Sequence, residues 1–412
     1  MGYLVAKSML AVVLAVLLAV ACDDDDSEDN DDAGANADVD TDADTDADTD
    51  TDTGTGTDTC PQEDYQVIDV GGGWYHTCAV LESGGLKCWG SNQFGGLGYP
   101  TDEQVCGGST PDTCPFVELG GPAVQISLGW YHTCALLEDG EIQCWGGPGA
   151  AGPWSCWDSH GYIEYLDEPA VQISTDERHN SALLDSGDVF VWGCMNDGVS
   201  DEQFPQPDFA GSAIQISTGS RHHCVLVEGG DVYCWGFNYQ GQLGYGHTDF
   251  VAASQVPDQV GPVELGGPAV QVAAGGDHTC AILEGGDVVC WGWNGAGGQL
   301  GYGNMENVGD DELPVDVGTV DVGAEVVQIS AGDGFTCAVL AGGGLKCWGI
   351  WSYEAGEMVG DDESPADVDP IGVGGAVTQV SAGGSHVCAV MASGTLRCWG
   401  RNDDGQLGYG DA

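Results

Sequence analysis

The sequence predicts an all-β fold: a seven-bladed β-propeller behind an N-terminal signal and a disordered acidic tether. Three observations predict it. One unit recurs seven times, marked by the Trp of a Trp-Gly pair at Trp89, Trp145, Trp192, Trp235, Trp291, Trp348 and Trp399. Each unit alternates short apolar runs with Gly-rich turns, and Gly makes up 69 of the 412 residues. Beyond the first 21 residues, no stretch has the apolar period of a long helix. Short strands, Gly turns and recurrent aromatics together describe a propeller, for which ~4–8 blades are usual.

Residues 1–21 read as a lipoprotein-type signal peptide. Lys7 supplies its positive start, and Met9 to Ala21 is an apolar run too short to span a bilayer comfortably. The small residues before Cys22 resemble the bacterial lipoprotein cleavage box, so lipidation of Cys22 is expected. Ala19 departs from that box, where Leu is commonest. Residues 22–59 read as a disordered Asp/Thr-rich tether, with 17 acidic and no basic residues from 23 to 58. Such a segment repels itself and has no apolar area to bury. A calcium loop needs a sharp Gly turn, and Gly is absent from 35 to 53, so no metal site is expected.

Residues 60–412 are expected to form the propeller. The chain holds 66 acidic and 7 basic residues, a formal charge of −59. That charge disfavours a nucleic-acid backbone or an anionic membrane face as partner. It also favours a soluble monomer through self-repulsion.

Within a unit, Val270-Gln271-Val272 alternates as a strand and Gly275-Gly276 turns the chain. Cys280 to Leu283 forms a second strand, Glu284 to Asp287 a tight turn, and Val288 to Trp291 a third strand. Inter-unit stretches such as Pro257 to Val260 could give a fourth. Pro61 to Val67 is expected to complete the last blade and close the ring.

These units resemble the repeats of the regulator of chromosome condensation family, a seven-bladed propeller. The matching features are Gly-x-x-His, then Cys-Ala-Leu/Val, then Gly-x-Leu/Val-x-Cys-Trp-Gly. Four units add an Asn and a Gly-rich Leu-Gly tail: Asn92 with Gly95–Gly98, Asn238 with Gly241–Gly244, Asn294 with Gly298–Gly301, and Asn402 with Gly405–Gly408. The resemblance covers about residues 66–410. It also raises the name-giving member's activity, guanine-nucleotide exchange on a small GTPase, as an alternative function.

Six units carry Cys ten residues apart: Cys78/Cys88, Cys134/Cys144, Cys224/Cys234, Cys280/Cys290, Cys337/Cys347 and Cys388/Cys398. A turn midway makes each pair face across a hairpin, which a disulfide accepts. The third unit has Ser181 and Val191 instead, and joint loss is what pairing predicts. Cys106 and Cys114 are expected to staple an insertion. Cys156 could reach Cys194, and Cys60 stays unassigned. The even use of Cys fits an oxidising compartment.

His76, His132, His179, His222, His278 and His386 recur at one position, with Phe335 in the sixth unit. Repetition around a ring argues for packing and hydrogen bonding rather than catalysis, and the recurrent Trp reads as blade core. Non-repeated aromatics are better candidates for partner contact: Trp74, Tyr75, Trp130 and Tyr131 beside the recurrent His, and Trp154, Trp157 and Trp351 in insertions. No phosphate loop, dinucleotide fingerprint or nucleophile elbow is present. No catalytic residue, metal or cofactor is expected.

The expected function is a non-enzymatic, lipid-anchored binding module of a bacterial envelope or surface. It would sit outside the cytoplasm and bind an envelope or extracellular protein or polymer, without nucleic acid. The other alternative is a hydrolytic enzyme of the cell surface.

Overall fold

In the computed structural model the described residues are 66–99, 110–147, 161–162, 166, 168–193, 209, 211–256, 260–295, 297–350 and 359–410. Each repeat folds as an antiparallel sheet of three strands. The inner strands are Val67–Gly72, Ala123–Leu128, Ala170–Asp176, Ala213–Thr218, Ala269–Ala274, Val326–Ala331 and Val377–Ala382. The middle strands are His76–Leu81, His132–Leu137, His179–Leu184, His222–Val227, His278–Leu283, Phe335–Leu340 and His386–Met391. The outer strands are Leu86–Gly90, Ile142–Gly146, Val189–Gly193, Val232–Gly236, Val288–Gly292, Leu345–Gly349 and Leu396–Gly400. The second blade gains a two-residue fourth strand, Gly161–Tyr162. The first inner strand packs on those of both the second and the last blade, so the blades form a closed ring.

The inner strands show how neighbouring blades are joined. Each carries a one-residue bulge near its start, as between Ala123 and Gln125 or Ala269 and Gln271. The bulged residue turns to solvent, and Ile68, Val124, Val171, Ile214, Val270 and Val327 are 43–55% exposed. The next residue is thereby re-aimed at the adjacent blade. In six blades it is Gln. The Nε2 of Gln271 donates to the Ile329 carbonyl at 3.0 Å, and its Oε1 accepts the Ile329 N–H at 3.0 Å. Gln125, Gln172, Gln215 and Gln328 clasp Ile173, Ile216, Val272 and Val380 in the same way. Two residues further on, Ser127, Ser174, Ser217, Ser330 and Ser381 each accept a backbone N–H from the next blade.

The first blade breaks this pattern with Asp69. Its carboxylate accepts the Ile126 N–H at 2.9 Å and the Gln379 Nε2 amide at 2.6 Å. The seam between the last and first blades is thus carried by a carboxylate. Burial, opposed by these hydrogen bonds, pushes Asp69 up to about 6.

A second belt joins the middle strands. The Nε2 of His76, His222, His278 and His386 lies 2.7–2.9 Å from Oγ1 of Thr133, Thr279, Thr336 and Thr77 in the following blade. Each Thr hydroxyl donates to a backbone carbonyl, so the His ring must donate to the Thr. Burial holds these rings neutral, driving His76 and His222 down to about 3 and His132, His278 and His386 to about 4. Phe335, fully buried, fills the place without a polar atom.

Disulfides link Cys78–Cys88, Cys134–Cys144, Cys224–Cys234, Cys280–Cys290, Cys337–Cys347 and Cys388–Cys398, each pair directly opposed across its middle and outer strands with Cα atoms 4.0–4.1 Å apart. Cys114 is also disulfide-bonded. Cys22, Cys60, Cys106, Cys156 and Cys194 lie outside the described residues, as do the signal at 1–21 and the tether at 22–59.

One expectation changes. Val67 opens the first inner strand rather than adding to the last blade, and residues 61–65 lie outside the described residues. The C-terminal tail reaches the first blade instead. The carbonyl of Gln406 accepts from both Trp89 Nε1 at 2.9 Å and Thr77 Oγ1 at 2.8 Å. In the same way Gly96 and Gln242 receive Trp145 and Trp291 of the following blades. Between units, single bridges join Gly236 to Val251 and Gly292 to Val308, and residues 257–259 of the stretch offered for a fourth strand lie outside the described residues.

The inner ring is open to two tests. Gln271→Ala leaves the Ile329 N–H and carbonyl unpaired and should cost about 1–3 kcal/mol, read from denaturant unfolding. Asp69 is raised above its unfolded value of about 4, so its contribution to stability is complete below that pH and is lost as pH rises through about 6. From about pH 4 to 6 this effect lowers the melting temperature, and Asp69→Asn should abolish it. Parallel profiles for the two proteins would remove Asp69 from the pH response.

Candidate partner-binding site

One face of the ring carries the turns between inner and middle strands. Each turn places two variable residues before the recurrent His or Phe, around one mouth of the central channel. In ring order these are Trp74-Tyr75, Trp130-Tyr131, Glu177-Arg178, Ser220-Arg221, Gly276-Asp277, Asp333-Gly334 and Gly384-Ser385. The backbone is identical in plan, so the slot residues decide the chemistry.

The first two blades form an aromatic arc. Trp74 and Trp130 have ring centroids 4.5 Å apart, and Tyr75 stacks on Tyr131 at 5.3 Å. Phe94 extends the arc outward, with its ring 4.9 Å from Tyr131. Phe94 is 54% exposed and holds a left-handed φ of 69°, a costly conformation for an aromatic residue. A second aromatic group lies beyond the fourth blade, where Phe237 meets both Tyr239 and Phe250 at 5.6 Å. Arg221 lies 6.0 Å from the Phe237 ring centre.

The acids lie across the mouth. Asp176 accepts the Glu177 N–H at 2.6 Å and the Ser220 hydroxyl at 3.4 Å. Glu177 is buried, holds a left-handed φ of 34°, and reaches Arg221 at 3.7 Å. Asp277 accepts Gln242 Nε2 at 3.1 Å. Burial, with the charges of Asp333 and Glu177 close by, pushes Asp176 up to about 8. Burial and the charges of Asp277 and Glu177 push Asp333 to about 6.

The structure brings Trp74, Tyr75, Trp130 and Tyr131 together. Trp154, Trp157 and Trp351 lie outside the described residues. Sequence reasoning did not single out Phe94, Phe237, Tyr239, Phe250, Asp176 or Asp333. For Phe94 a signal was available, since it stands beside the recurrent Asn92 tail.

Among curated proteins, the chain is 34% identical over 145 residues to the ultraviolet-B receptor UVR8 of Arabidopsis thaliana, covering 34% of this chain and 31% of the receptor. It is 36% identical over 182 residues to the probable E3 ubiquitin-protein ligase HERC3 of Homo sapiens, covering 42% of this chain and 16% of the ligase. The chain therefore spans less than a third of the length of either relative. Among solved structures, Prp20p from Saccharomyces cerevisiae, described with its binding to Gsp1p and histones, superposes with a TM-score of 0.61 at 19% identity, covering 84% of this chain and 85% of that one. The same yeast protein bound to Kap60 gives 0.62 at 19% identity, covering 84% and 83%.

These findings correct several expectations. The relatives are plant, mammalian and yeast proteins, so the reading as a bacterial lipoprotein anchored outside the cytoplasm is withdrawn. The envelope or extracellular partner goes with it, since the yeast structures are described with Kap60, Gsp1p and histones. So does the surface-tethered binding function. The expectation of no enzymatic role is also withdrawn, because relatives named as E3 ubiquitin-protein ligases share these repeats.

The description "Regulator of chromosome condensation (RCC1) repeat" matches residues 229–282 and 285–339 in one form. In a second form it matches 67–95, 123–149, 213–242, 269–297 and 377–406. Together the matches cover just over half of the chain, and they fall on the strands and turns that build the ring. The chain belongs to the regulator of chromosome condensation repeat family.

Proposed function

We propose that this chain is a protein-recognition propeller that engages a protein partner through the face bearing the aromatic arc, with guanine-nucleotide exchange on a small GTPase as the activity to test. The observation that carries the reading is the departure of two adjacent blades from the slot pattern. Trp74, Tyr75, Trp130 and Tyr131 form one stacked patch on an otherwise repetitive scaffold. Large aromatic side chains held by mutual stacking are efficient anchors for a protein surface. Family membership supports the exchange activity, and yeast Prp20p, which shares the fold, is described as binding Gsp1p.

The charge of the chain favours a basic surface on the partner. Lys87 and Lys346 are buried on backbone carbonyls, leaving four Arg as the other basic residues of the described part. A basic partner of the histone kind is thus a second reading. The propeller domain is taken as residues 60–412.

The test uses the full chain against a nucleotide-loaded small GTPase and against core histones. Saturable binding is expected, and nucleotide release should accelerate if exchange is the activity. Trp74→Ala with Trp130→Ala should weaken binding by about 2 kcal/mol or more, measured by calorimetry. Unchanged affinity in a folded double variant would move the interface off the aromatic arc.

A further inference from the structure

The slot turns occupy one face of the ring, and the tight turns between middle and outer strands occupy the other. On that second face each tight turn is stitched to two inner strands. The residue opening the turn donates its N–H to the carbonyl just ahead of its own inner strand, as Glu138 does to Pro122 and Glu284 to Pro268, at 2.8–3.0 Å around the ring. A glycine carbonyl of the turn accepts from the first residue of the next inner strand, as Gly84 does from Ala123 and Gly230 from Ala269. Gly394 accepts from Val67 and completes the circuit.

Two kinds of side chain alternate along this circuit. The bulge residue sits two places after each stitched carbonyl. It is aliphatic and 43–55% exposed in six blades, as Ile68, Val124, Val171, Ile214, Val270 and Val327. The residue opening the tight turn is Glu82, Glu138, Asp185, Glu228 or Glu284 in the first five blades, exposed each time, and Ala341 or Ala392 in the last two.

Strand preference does not demand an aliphatic at the bulge. The seventh blade has Thr378 there, with the same branching and a hydroxyl, and its strand forms the same bulge. A single exposed Val is ordinary, but aliphatics kept at one place around the mouth of a channel form a band of the kind that marks an interaction surface. The acids beside the band have no cation. Among the described residues, the ion pairs are Arg221–Glu177 and Arg401–Asp403, neither of them on this circuit.

Charge and backbone together select the occupant. A second copy of the chain would set its own acids against these, and an anionic membrane would be repelled as well. An added strand would find no free inner edge, because the Gln and Ser clasps already occupy the facing backbone groups. A helix satisfies its own backbone, and one with an apolar stripe flanked by Lys or Arg matches both the band and the acids.

We propose that this face, opposite the aromatic arc, docks a basic amphipathic helix of a protein partner. Its apolar stripe lies over the band of bulge residues, and its cations meet the acids of the first five blades. The inference goes beyond the aromatic-arc reading and does not rest on it.

The test titrates the full chain into a fluorescent helix-forming peptide of Leu and Lys, with Leu at i, i+3, i+4 and i+7, and follows anisotropy at about 0.15 M salt. A peptide of the same composition with Leu and Lys scrambled out of phase should bind about tenfold more weakly. Val124→Thr with Val171→Thr and Val270→Thr should weaken the amphipathic peptide about tenfold or more, and Thr378 shows that the bulge accepts Thr without loss of the fold. Glu138→Gln with Glu228→Gln and Glu284→Gln should weaken it about fivefold or more. Glu118→Gln with Asp249→Asn and Glu306→Gln removes the same charge from exposed acids elsewhere and should cost less than about twofold. Full affinity in the Thr variant, equal binding of the scrambled peptide, or equal losses in the two acid variants would overturn the proposal. A dimer seen by sedimentation and lost in the Thr variant would also overturn it, by giving the face to a second copy. Trp74→Ala with Trp130→Ala should leave the peptide bound as before, so loss of the aromatic-arc reading and loss of this one are separate results.

Discussion

The ring depends on a side-chain amide that imitates a strand. Adjacent inner strands line the channel in separate sheets and do not pair edge to edge, so their facing backbone groups need partners of another kind. The Gln clasp supplies them. One primary amide offers a donor and an acceptor in the spacing of a peptide unit, and Gln271 satisfies both the N–H and the carbonyl of Ile329. The bulge before it is what makes the reach possible. Without the extra residue, the period-two alternation would turn Gln to the opposite face of its own sheet. The cost is an aliphatic side chain at the bulge turned outward in blade after blade.

This constraint explains why the seam is chemically distinct. Asp69 is one methylene shorter than Gln and, ionised, can only accept. It takes the Ile126 N–H as a Gln would, and it takes Gln379 by its side chain, where every other Gln reaches backbone. The join is therefore made by one carboxylate serving two blades. The C-terminal tail reinforces it from outside, with Gln406 receiving both Trp89 and Thr77. The Asp69 contact is an ionisable one, whereas the clasps within the ring are neutral.

The fold was legible because its units repeat. Copies of one strand-turn-strand pattern override the ambiguity of any single short strand, and the turn between Cys78 and Cys88 sets their opposition. Of the closing segment expected at Pro61 to Val67, Val67 belongs to the first inner strand and residues 61–65 lie outside the described residues. The tail adds one carbonyl that accepts two donors from the first blade, and such a contact leaves no period in a sequence. The clasp was visible as Gln at one place in six units, but an alternating polar residue in a strand ordinarily faces water. Only the bulge shows otherwise, and a bulge has no residue signature here.

The site was half legible for a related reason. Trp74 and Trp130 stood out because aromatics are rare in that slot. Asp176 and Asp333 did not, because a chain with 66 acidic residues gives no contrast for two more. Their distinction is positional: they line the channel, while most acids have water around them. The scaffold thus separates two tasks. Inner-strand Gln and recurrent His hold each blade to the next, while paired Cys tie the middle and outer strands within a blade. The two slot residues before each His carry no such duty, as the range from Trp-Tyr to Gly-Ser shows. Specificity in this ring is free to change there without disturbing the joints, and the strained φ of Glu177 shows the scaffold tolerating a costly backbone in that slot.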